Sequence, residues 1–450
     1  MEENQGRSIG GVHDQSAPTG FPGFSECSTK FTQTEIDERL KNILRTLILF
    51  AIRVFGIAGA RTAARQAQQP APQSPRILLI RPDHLGDLVL TTPVLNALKT
   101  HLPNASITMM VGPWSSEVVA HHPAIDRLLL CPFPGFQRAA QKPLSPYILL
   151  RNVAQQLRRE RYDLAINLRP DFWWGAALLY LARIPRRVGY AIAPGTPFLS
   201  RALPFQSPEL ATVSNLRLVS TALGLLGNPP LEEPYTPARY PLEFTPTPAE
   251  QAWVNERLEK AHIAVEDPIV VIHPGTGAAV KLWRTAAWSA CANAIPGLLT
   301  TPAPARIILT GSQSERPMLE EIAHGITSPP LLMTDMTTGQ MAALLQRAKL
   351  VLGVDNGPLH LAVAQGTPTI HIFGPTDPRI FGPWGTPERH VVIASTHRCP
   401  TCPTIPCGRL DFRPEELPAH PCVRLVSEQQ VEDAIKTLLN TEATSPSHTS

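Results

Sequence analysis

Short aliphatic runs alternate with helix-length segments along most of this 450-residue chain, beginning at Arg76. The first run, 77–80, is four consecutive aliphatic residues, which predicts a strand buried on both faces. Such strands, separated by amphipathic stretches, are typical of βαβ units on a parallel sheet. The alternation therefore predicts an α/β fold.

The alternation occurs as two series. A chain of this length exceeds what one hydrophobic core usually holds, so we expect two open, doubly wound sheets with ligands in the cleft between the carboxyl ends of their strands. The first series predicts strands at 77–80, 107–111, 127–130, 164–167 and 187–190, and helices at 88–98, 147–159 and 174–182. The second predicts strands at 269–273, 306–310, 350–354 and 369–373, and helices at 286–295, 340–348 and 428–439.

Composition and breaks in the pattern set the expected boundaries. The chain is 43% hydrophobic and 17% charged with a formal net charge of +3, a balance that excludes a disordered or nucleic-acid-binding protein. Seven cysteines without a secretory signal indicate reduced thiols in the cytoplasm. The expected parts are an extension over 1–75, a Rossmann-like domain over 76–226, a linker over 227–267, a second Rossmann-like domain over 268–440 and a disordered tail over 441–450.

The N-terminal extension contains a segment with helical periodicity at 36–66, followed by a proline-rich linker. Its longest apolar run, 47–52, is far shorter than the roughly 20 residues that span a bilayer. Two interpretations stay open: a basic amphipathic helix on an anionic membrane, or a helix packed on the protein or on a second copy. The apolar positions are Leu40, Ile43, Leu47, Phe50, Val54 and Ala58, with Arg39, Lys41, Arg45, Arg53, Arg61 and Arg65 between them.

The first candidate site follows the first predicted strand. Gly86 permits a close approach of the backbone, and Asp87 falls in the first turn of the next helix. Asp87 is either a group that stabilises the helix dipole or a general base that deprotonates an acceptor hydroxyl. Asp83 competes for the second role.

The second candidate is the small-residue loop after the strand at 269–273. Its backbone N–H groups, the Thr276 hydroxyl and the Lys281 ammonium can form a cradle for a diphosphate leaving group. The loop lacks the spacing of a P-loop, and an ordinary turn with a surface lysine is the alternative.

The third candidate follows the strand at 350–354. Asp355 and Asn356 occupy the expected cap of a helix, and Gly357 frees the backbone N–H groups after it. The interpretations are phosphate and ribose binding or capping alone, which are compatible. His360, one turn into the helix, is more typical of a packed histidine than of a catalyst.

These segments, in this order, resemble glycosyltransferase family 9, the ADP-heptose:lipopolysaccharide heptosyltransferases. The resemblance covers about residues 76 to 440 and implies the two-domain GT-B fold. The segments that carry it are Arg81 to Asp87, Tyr162 to Asn167, Arg187 to Tyr190, His273 to Trp283, Gly311 to Glu315, Asp355 to His360 and Phe373 to Pro378.

The resemblance implies roles for individual residues. The aspartate of the family's first Gly-Asp pair is the proposed base, which is Asp87 here rather than Asp83. It further implies an inverting displacement of ADP without a cofactor or divalent metal. The matching nucleotide positions are Thr276, Gly277 and Lys281 for the phosphates, Asp355, Asn356, Gly357 and His360 around the diphosphate, Glu315 at the ribose and Met336 near the adenine.

Departures from the family limit this transfer of roles. Asn356 stands where the family usually has Thr or Ser, and the first 75 residues have no counterpart in the short members. No Lys/Arg cluster in the first domain marks an acceptor. Cys399, Cys402, Cys407 and Cys422 are interpreted as reduced, partly buried thiols, with a structural zinc site as the alternative.

The expected function is transfer of a heptosyl residue from ADP-heptose to a lipopolysaccharide core or related glycolipid. Peripheral contact with the inner face of the cytoplasmic membrane through 36–66 fits that acceptor. The alternatives are another nucleotide sugar, a protein or soluble glycan acceptor, and a non-catalytic regulator that binds a sugar nucleotide. Asp87 and Lys281 together favour an enzyme, since a binder has no need of a base.

Overall fold

A computed structural model describes residues 33–136, 142, 144–298 and 303–444. The start of the predicted extension, 1–32, and the end of the predicted tail, 445–450, lie outside these residues. The last helix continues to Thr444, so residues 441–444, predicted to be part of a disordered tail, are helical.

The first sheet contains six parallel strands in the order β3-β2-β1-β4-β5-β6. Its central strands β1 and β4 are buried aliphatic runs, as expected for strands covered by helices on both faces. The edge strand β6 has only three residues, too few for a periodic signal, and was not predicted. The strands are β1 Arg76–Arg81, β2 Ser106–Val111, β3 Arg127–Leu130, β4 Leu164–Asn167, β5 Arg186–Tyr190 and β6 Arg201–Leu203.

Helices follow these strands, with one break that the sequence prediction missed. The helix predicted at 88–98 is two helices, α2 and α3, separated at Leu90 and Thr91. Pro93 explains the break, because a proline within a continuous helix clashes with the carbonyl group four residues before it. The helices of this half are α2 Leu85–Val89, α3 Thr92–His101, α4 Ser145–Glu160, α5 Trp173–Leu181 and α6 Ala211–Leu225.

The second sheet repeats the topology of the first, with the order β12-β11-β10-β7-β8-β9, again all parallel. Both orders are the 3-2-1-4-5-6 arrangement of a doubly wound fold. The two Rossmann-like sheets of a GT-B architecture, predicted from the sequence, are confirmed. The strands are β7 Ile269–His273, β8 Arg306–Thr310, β9 Leu331–Met333, β10 Leu350–Val354, β11 Thr369–Phe373 and β12 His390–Ala394.

The helices around the second sheet begin with α7, which Thr247 and Glu250 start with a reciprocal capping box. Two buried apolar clusters surround the strands. The larger includes side chains of both sheets and the smaller covers one face of the second sheet only. The helices are α7 Pro248–Lys260, α8 Thr285–Leu298, α9 Arg316–His324, α10 Thr338–Arg347, α11 Gly357–Ala364, α12 Pro378–Phe381 and α13 Glu428–Thr444.

The predicted N-terminal helix is α1, Gln33–Ala67. Its Gly56 and Gly59 lie against Tyr180 and Arg183, and the Tyr180 hydroxyl donates a hydrogen bond of 2.8 Å to the Arg53 carbonyl. The small residues therefore form the face that packs on the protein, as one of the two sequence interpretations expected.

Several large apolar residues of α1 are exposed, although Leu49 is buried. Ile43, Leu47, Phe50 and Val54 are between 47% and 65% exposed. The basic residues do not share one face, because Arg45, Arg53 and Arg61 recur every eight residues and each is rotated by about 80° from the last.

By length and composition alone, Asn42–Ala67 is apolar enough to cross a membrane. A spanning helix was not predicted from the sequence, because the longest apolar run, 47–52, ends at Arg53. Over the whole of Asn42–Ala67, apolar residues on both sides of Arg53 keep the segment apolar on average.

The starts of α2 and α11 meet at two glycines. A Cβ atom on Gly357 would lie 2.9 Å from the Gly86 amide nitrogen and 2.6 Å from Leu85 Cδ2. A Cβ atom on Gly86 would lie 3.1 Å from the Gly357 Cα. The carboxyl ends of β1 and β10 can therefore come this close only without side chains at both positions.

We expect Gly357→Ala to reduce the free energy of unfolding by about 1–3 kcal/mol, since the added methyl group must displace backbone atoms. Urea denaturation measures the change. Gly224→Ala is the matched control, because Gly224 lies in α6 with no atom within 4 Å of a Cβ, and we expect it to be neutral or stabilising by up to about 1 kcal/mol. Equal effects of the two substitutions would contradict the assigned packing.

Candidate active site

Both sheets reverse their strand order at a switch point, where open α/β sheets bind ligands. In the first sheet this point lies between β1 and β4, and in the second between β7 and β10. Asp87 follows β1, Lys281 follows β7, and Asp355 follows β10. These three predicted site residues thus lie at the switch-point edges of the two sheets, and their roles in binding stay predictions.

Arg81, the last residue of β1, contacts both aspartates of the segment that follows this strand. Its Nε lies 2.8 Å from Asp83 Oδ2, and its Nη2 lies 3.2 Å from Asp87 Oδ1. Its Nη1 donates to the Leu168 carbonyl at 3.0 Å and to Asn215 Oδ1 at 3.3 Å. A buried guanidinium with this many partners holds both acidic side chains in place.

The two aspartates of this loop differ in access. The Asp83 side chain is 3% exposed and is paired with both Arg81 and Arg169. The Asp87 side chain is 30% exposed. Asp87 is thus the more accessible of the two and lies beside α11. Its role as the base stays a prediction.

The Asp87 carboxyl group has a raised pKa of about 6. Burial in the site is the largest cause, because it disfavours the charged form, and the negative charge of Asp83 acts in the same direction. Arg81 and Arg169 oppose the shift. The carboxylate is therefore mostly ionised at neutral pH, and a much better proton acceptor than an ordinary aspartate.

An ion pair joins the loop after β7 to the residue that follows β10. Lys281 Nζ donates to the Asp355 carbonyl at 2.7 Å and lies 3.1 Å from Asp355 Oδ2. The Thr376 hydroxyl donates to the same Oδ2 at 2.7 Å. Lys281 thus reaches the start of α11, as a diphosphate cradle requires, with its charge already paired.

Asn356 caps α11 and also bridges to the loop after β7. Its Oδ1 accepts from the Leu359 N–H at 3.2 Å, and its Nδ2 donates to the His273 and Gly275 carbonyls at 3.2 and 2.9 Å. From the sequence, we expect the Asn356 amide to be able to donate to a phosphate. In the structure that donor is used to hold the two loops together.

Thr276 and Gly277 lie in the loop that follows β7. The Thr276 hydroxyl oxygen is buried and has no hydrogen-bond partner among the residues that the structure describes. A buried polar group of this kind is costly unless a ligand or water satisfies it. Gly277 is exposed, and no atom of another described residue beyond its chain neighbours lies within 4 Å of its Cβ position.

Glu315 follows β8 and lies against the same loop. Its Oε2 accepts from the Ser312 N–H and hydroxyl, both at 2.7 Å, and its Oε1 lies 2.1 Å from where a Gly275 Cβ would stand. Met336 lies after β9 and is half-buried against the larger apolar cluster. Their ribose and adenine roles stay predictions.

His360 is buried in α11, beside Gly86. A Cβ atom on Gly86 would lie 3.1 Å from its Cδ2. Burial lowers the His360 pKa to about 4, so the imidazole is neutral at physiological pH. This position fits the packed histidine expected from the sequence. Its ring also lies beside Gly86, where α2 and α11 meet.

Several residues of the site were missed from the sequence. Arg81, Arg169, Asn215 and Thr376 supply the partners of the acidic groups. Arg81 and Thr376 fall inside segments that carry the family resemblance, and Arg169 follows β4 at the switch point. Asn215 lies in α6, 134 residues from Arg81, where no local signal marks it.

A model of glycosyltransferase family 9 (heptosyltransferase) matches residues 150–407. Lipopolysaccharide heptosyltransferase 3 of Escherichia coli is 30% identical over 308 residues, which cover 66% of this chain and 83% of that protein. The chain belongs to glycosyltransferase family 9. It is accordingly a glycosyltransferase, as the resemblance implied.

A further relative and two solved structures are also similar to this chain. Lipopolysaccharide heptosyltransferase 1 of Pseudomonas aeruginosa is 27% identical over 73% of this chain and 86% of its own length. The crystal structure of a family 9 glycosyltransferase from Veillonella parvula matches with a TM-score of 0.66 at 20% identity, over 83% of this chain and all of that one. The structure of ADP-heptose lps heptosyltransferase II of E. coli matches with a TM-score of 0.61 at 18% identity. The match covers 82% of this chain and all of that one. The two structures support the fold.

Proposed function

We propose that this glycosyltransferase transfers a heptosyl residue from ADP-heptose to a lipopolysaccharide core or a related glycolipid, with inversion at the anomeric carbon. The relatives named lipopolysaccharide heptosyltransferase support the sugar and the acceptor class. The observation that carries the proposal is the contact of the Asp87 helix with the start of α11 through Gly86 and Gly357. It brings a carboxylate with a raised pKa next to an anion-binding helix start.

The donor diphosphate lies, in this proposal, between the loop after β7 and the start of α11. Pro358 lacks an N–H, and the Leu359 N–H is used by Asn356, so Gly357 supplies the donor of that first turn. The unpartnered Thr276 hydroxyl and the Lys281 ammonium complete the site. Lys281 also neutralises Asp355, whose carboxylate would otherwise repel the phosphates.

The nucleoside follows the order of neighbouring strands. On this side of its switch point the second sheet has the strand order β10-β7-β8-β9. The predicted phosphate residues follow β10 and β7, the predicted ribose residue follows β8, and the predicted adenine residue follows β9. A nucleotide stretched along this edge reaches Glu315 with its ribose and Met336 with its base.

The chemical step is a direct displacement. Asp87 takes the proton of the acceptor hydroxyl as its oxygen attacks the anomeric carbon, and the bond from that carbon to the ADP oxygen breaks. Negative charge grows on the leaving diphosphate. Lys281, Thr276 and the Gly357 N–H stabilise this charge, which lowers the barrier.

We also propose that the enzyme works in the cytoplasm, in peripheral contact with the inner face of the cytoplasmic membrane through residues 36–66. The exposed apolar residues of α1 support lipid contact, since they lie off the face that packs on the protein. A glycolipid acceptor would be met at such a surface.

Calorimetric titration with ADP, GDP and UDP tests the donor. We expect ADP to bind most tightly, and Lys281→Ala to weaken ADP binding on the order of 10- to 100-fold, because a charge-assisted contact is lost. Lys260→Ala, on the exposed surface of α7, is the control and should bind as the native chain does. Preference for UDP or GDP would retain the fold and refute ADP-heptose, and binding without transfer to any acceptor would favour a regulator.

The pH dependence of transfer tests the base. Only ionised Asp87 accepts a proton, so we expect kcat/KM to rise with pH through about 6 and to level off above it. Asp87→Asn should lower kcat by roughly 100-fold or more and abolish this acidic limb, while ADP binding persists. Glu256→Gln, at an exposed carboxylate of α7 paired with Lys260, should leave kcat and the acidic limb unchanged. An unchanged acidic limb in Asp87→Asn would rule out this base.

Flotation with liposomes containing anionic lipid tests the membrane contact. Phe55 is 88% exposed on α1, and we expect Phe55→Glu to reduce the floating fraction because a charge opposes burial in lipid. Val265→Glu, at an apolar residue that is 76% exposed elsewhere, should float like the native chain. Equal flotation of both variants would refute the contact, and resistance of the native chain to alkaline extraction would indicate a spanning helix.

A further inference from the structure

Four cysteines and a histidine come together in the loop before α13. Cys399, Cys402 and His420 each present one ligand atom, and these three atoms lie within 4.8 Å of one another. Cys402 Sγ lies 3.4 Å from His420 Nδ1. The Cys402 thiol also interacts with that of Cys407, and the Cys422 thiol with that of Cys399.

The local backbone presents these groups to a common point. The Cys402 N–H donates to the Cys399 carbonyl at 3.0 Å, so a tight turn brings two thiols to one side. The Gly408 N–H donates to the Pro375 carbonyl at 2.7 Å and anchors the segment of Cys407. Cys399, Cys422 and His420 are 2%, 2% and 6% exposed. A buried group of thiols and imidazole on short turns is the donor set of a closed structural metal site.

We propose that this cluster binds one zinc ion in tetrahedral coordination through Cys399, Cys402 and His420, with Cys407 or Cys422 as the fourth ligand. Sulfur-rich tetrahedral sites favour zinc over hard cations such as Mg²⁺. On binding, the three thiols release their protons to solvent and the imidazole coordinates as the neutral base. Three thiolates and Zn²⁺ then carry a net charge of −1.

The cluster lies directly behind the proposed donor site. A Cβ atom on Gly374 would stand 3.3 Å from Cys422 Sγ, and Val280 and Pro375 line the same small cavity as the thiols. Val280 precedes Lys281 in the chain, and Pro375 precedes Thr376. Both residues that bond the Asp355 carboxylate are therefore one position away from residues packed on the cluster.

This arrangement gives the metal a positioning role. A bound ion fixes the loop that holds Lys281 and Thr376 against Asp355, so its loss weakens nucleotide binding without removing any group that contacts the nucleotide. The positioning role rests on the proposed function, whereas zinc binding itself does not.

Elemental analysis of the full chain, expressed with zinc and purified under reducing conditions, tests the site. The native chain should carry about one zinc per chain, and Cys399→Ser and Cys402→Ser roughly tenfold less. Cys131→Ser and Cys291→Ser remove buried thiols outside the cluster and should leave the zinc content unchanged. A metal-free native chain, or equal zinc in Cys399→Ser and Cys131→Ser, would overturn the proposal.

Cobalt provides a measurement that needs no variant. The native chain, stripped of metal by a chelator and titrated with Co²⁺, should develop thiolate-to-cobalt charge-transfer absorption that zinc abolishes. No such absorption would overturn the site even if the cysteine variants fail to fold.

Titration with ADP before chelation, after chelation and after return of zinc tests the positioning role. We expect roughly tenfold weaker ADP binding without zinc, recovered when zinc returns. Unchanged affinity in stripped protein would overturn the positioning role and leave the metal site intact. If the zinc-loaded chain binds no ADP, the proposed donor is wrong, and this outcome is separate from the metal measurements.

Discussion

The close contact between the starts of α2 and α11 is the constraint on which the rest of the site depends. Two backbones meet there at Gly86 and Gly357, and a side chain on either glycine would separate them. Because each helix begins at the carboxyl end of a switch-point strand, this contact joins the two ligand-binding edges. Asp87, one residue past Gly86, is carried next to the helix start that the second sheet presents.

Three aspartates near this contact are each paired with a cation. They differ in how fully their negative charge is compensated. Asp83 is enclosed by Arg81 and Arg169, and Asp355 by Lys281 and Thr376. Asp87 has one direct ion pair among the described residues, with Arg81 Nη2 at 3.2 Å, and Arg169 acts on it without direct contact. Its charge is therefore the least compensated, which is why burial outweighs the ion pair and raises its pKa.

The sequence predicted the framework well and the connections between distant residues poorly. Strands such as Leu164–Asn167 and Ile269–His273 have the predicted bounds, because buried, mainly aliphatic runs with sharp ends are a local signal. The break at Pro93, the three-residue strands and the partners of Asp83, Asp87 and Asp355 were missed. The pairing of Arg81 with Asn215, 134 residues apart, is created only by folding. The use of the Asn356 amide between loops could likewise not be predicted, since capping and ligand binding require the same residue type.

The pairing of Lys281 with Asp355 has a consequence for how the donor arrives. Because the lysine's charge is cancelled within about 3 Å, the loop projects little electric field into the surrounding water, and a diphosphate gains its attraction only at hydrogen-bonding range. The donor's rate of arrival should then follow ordinary diffusion with little electrostatic steering, and respond weakly to ionic strength. Recognition in this pocket would be decided after entry, by shape and by hydrogen-bond partners.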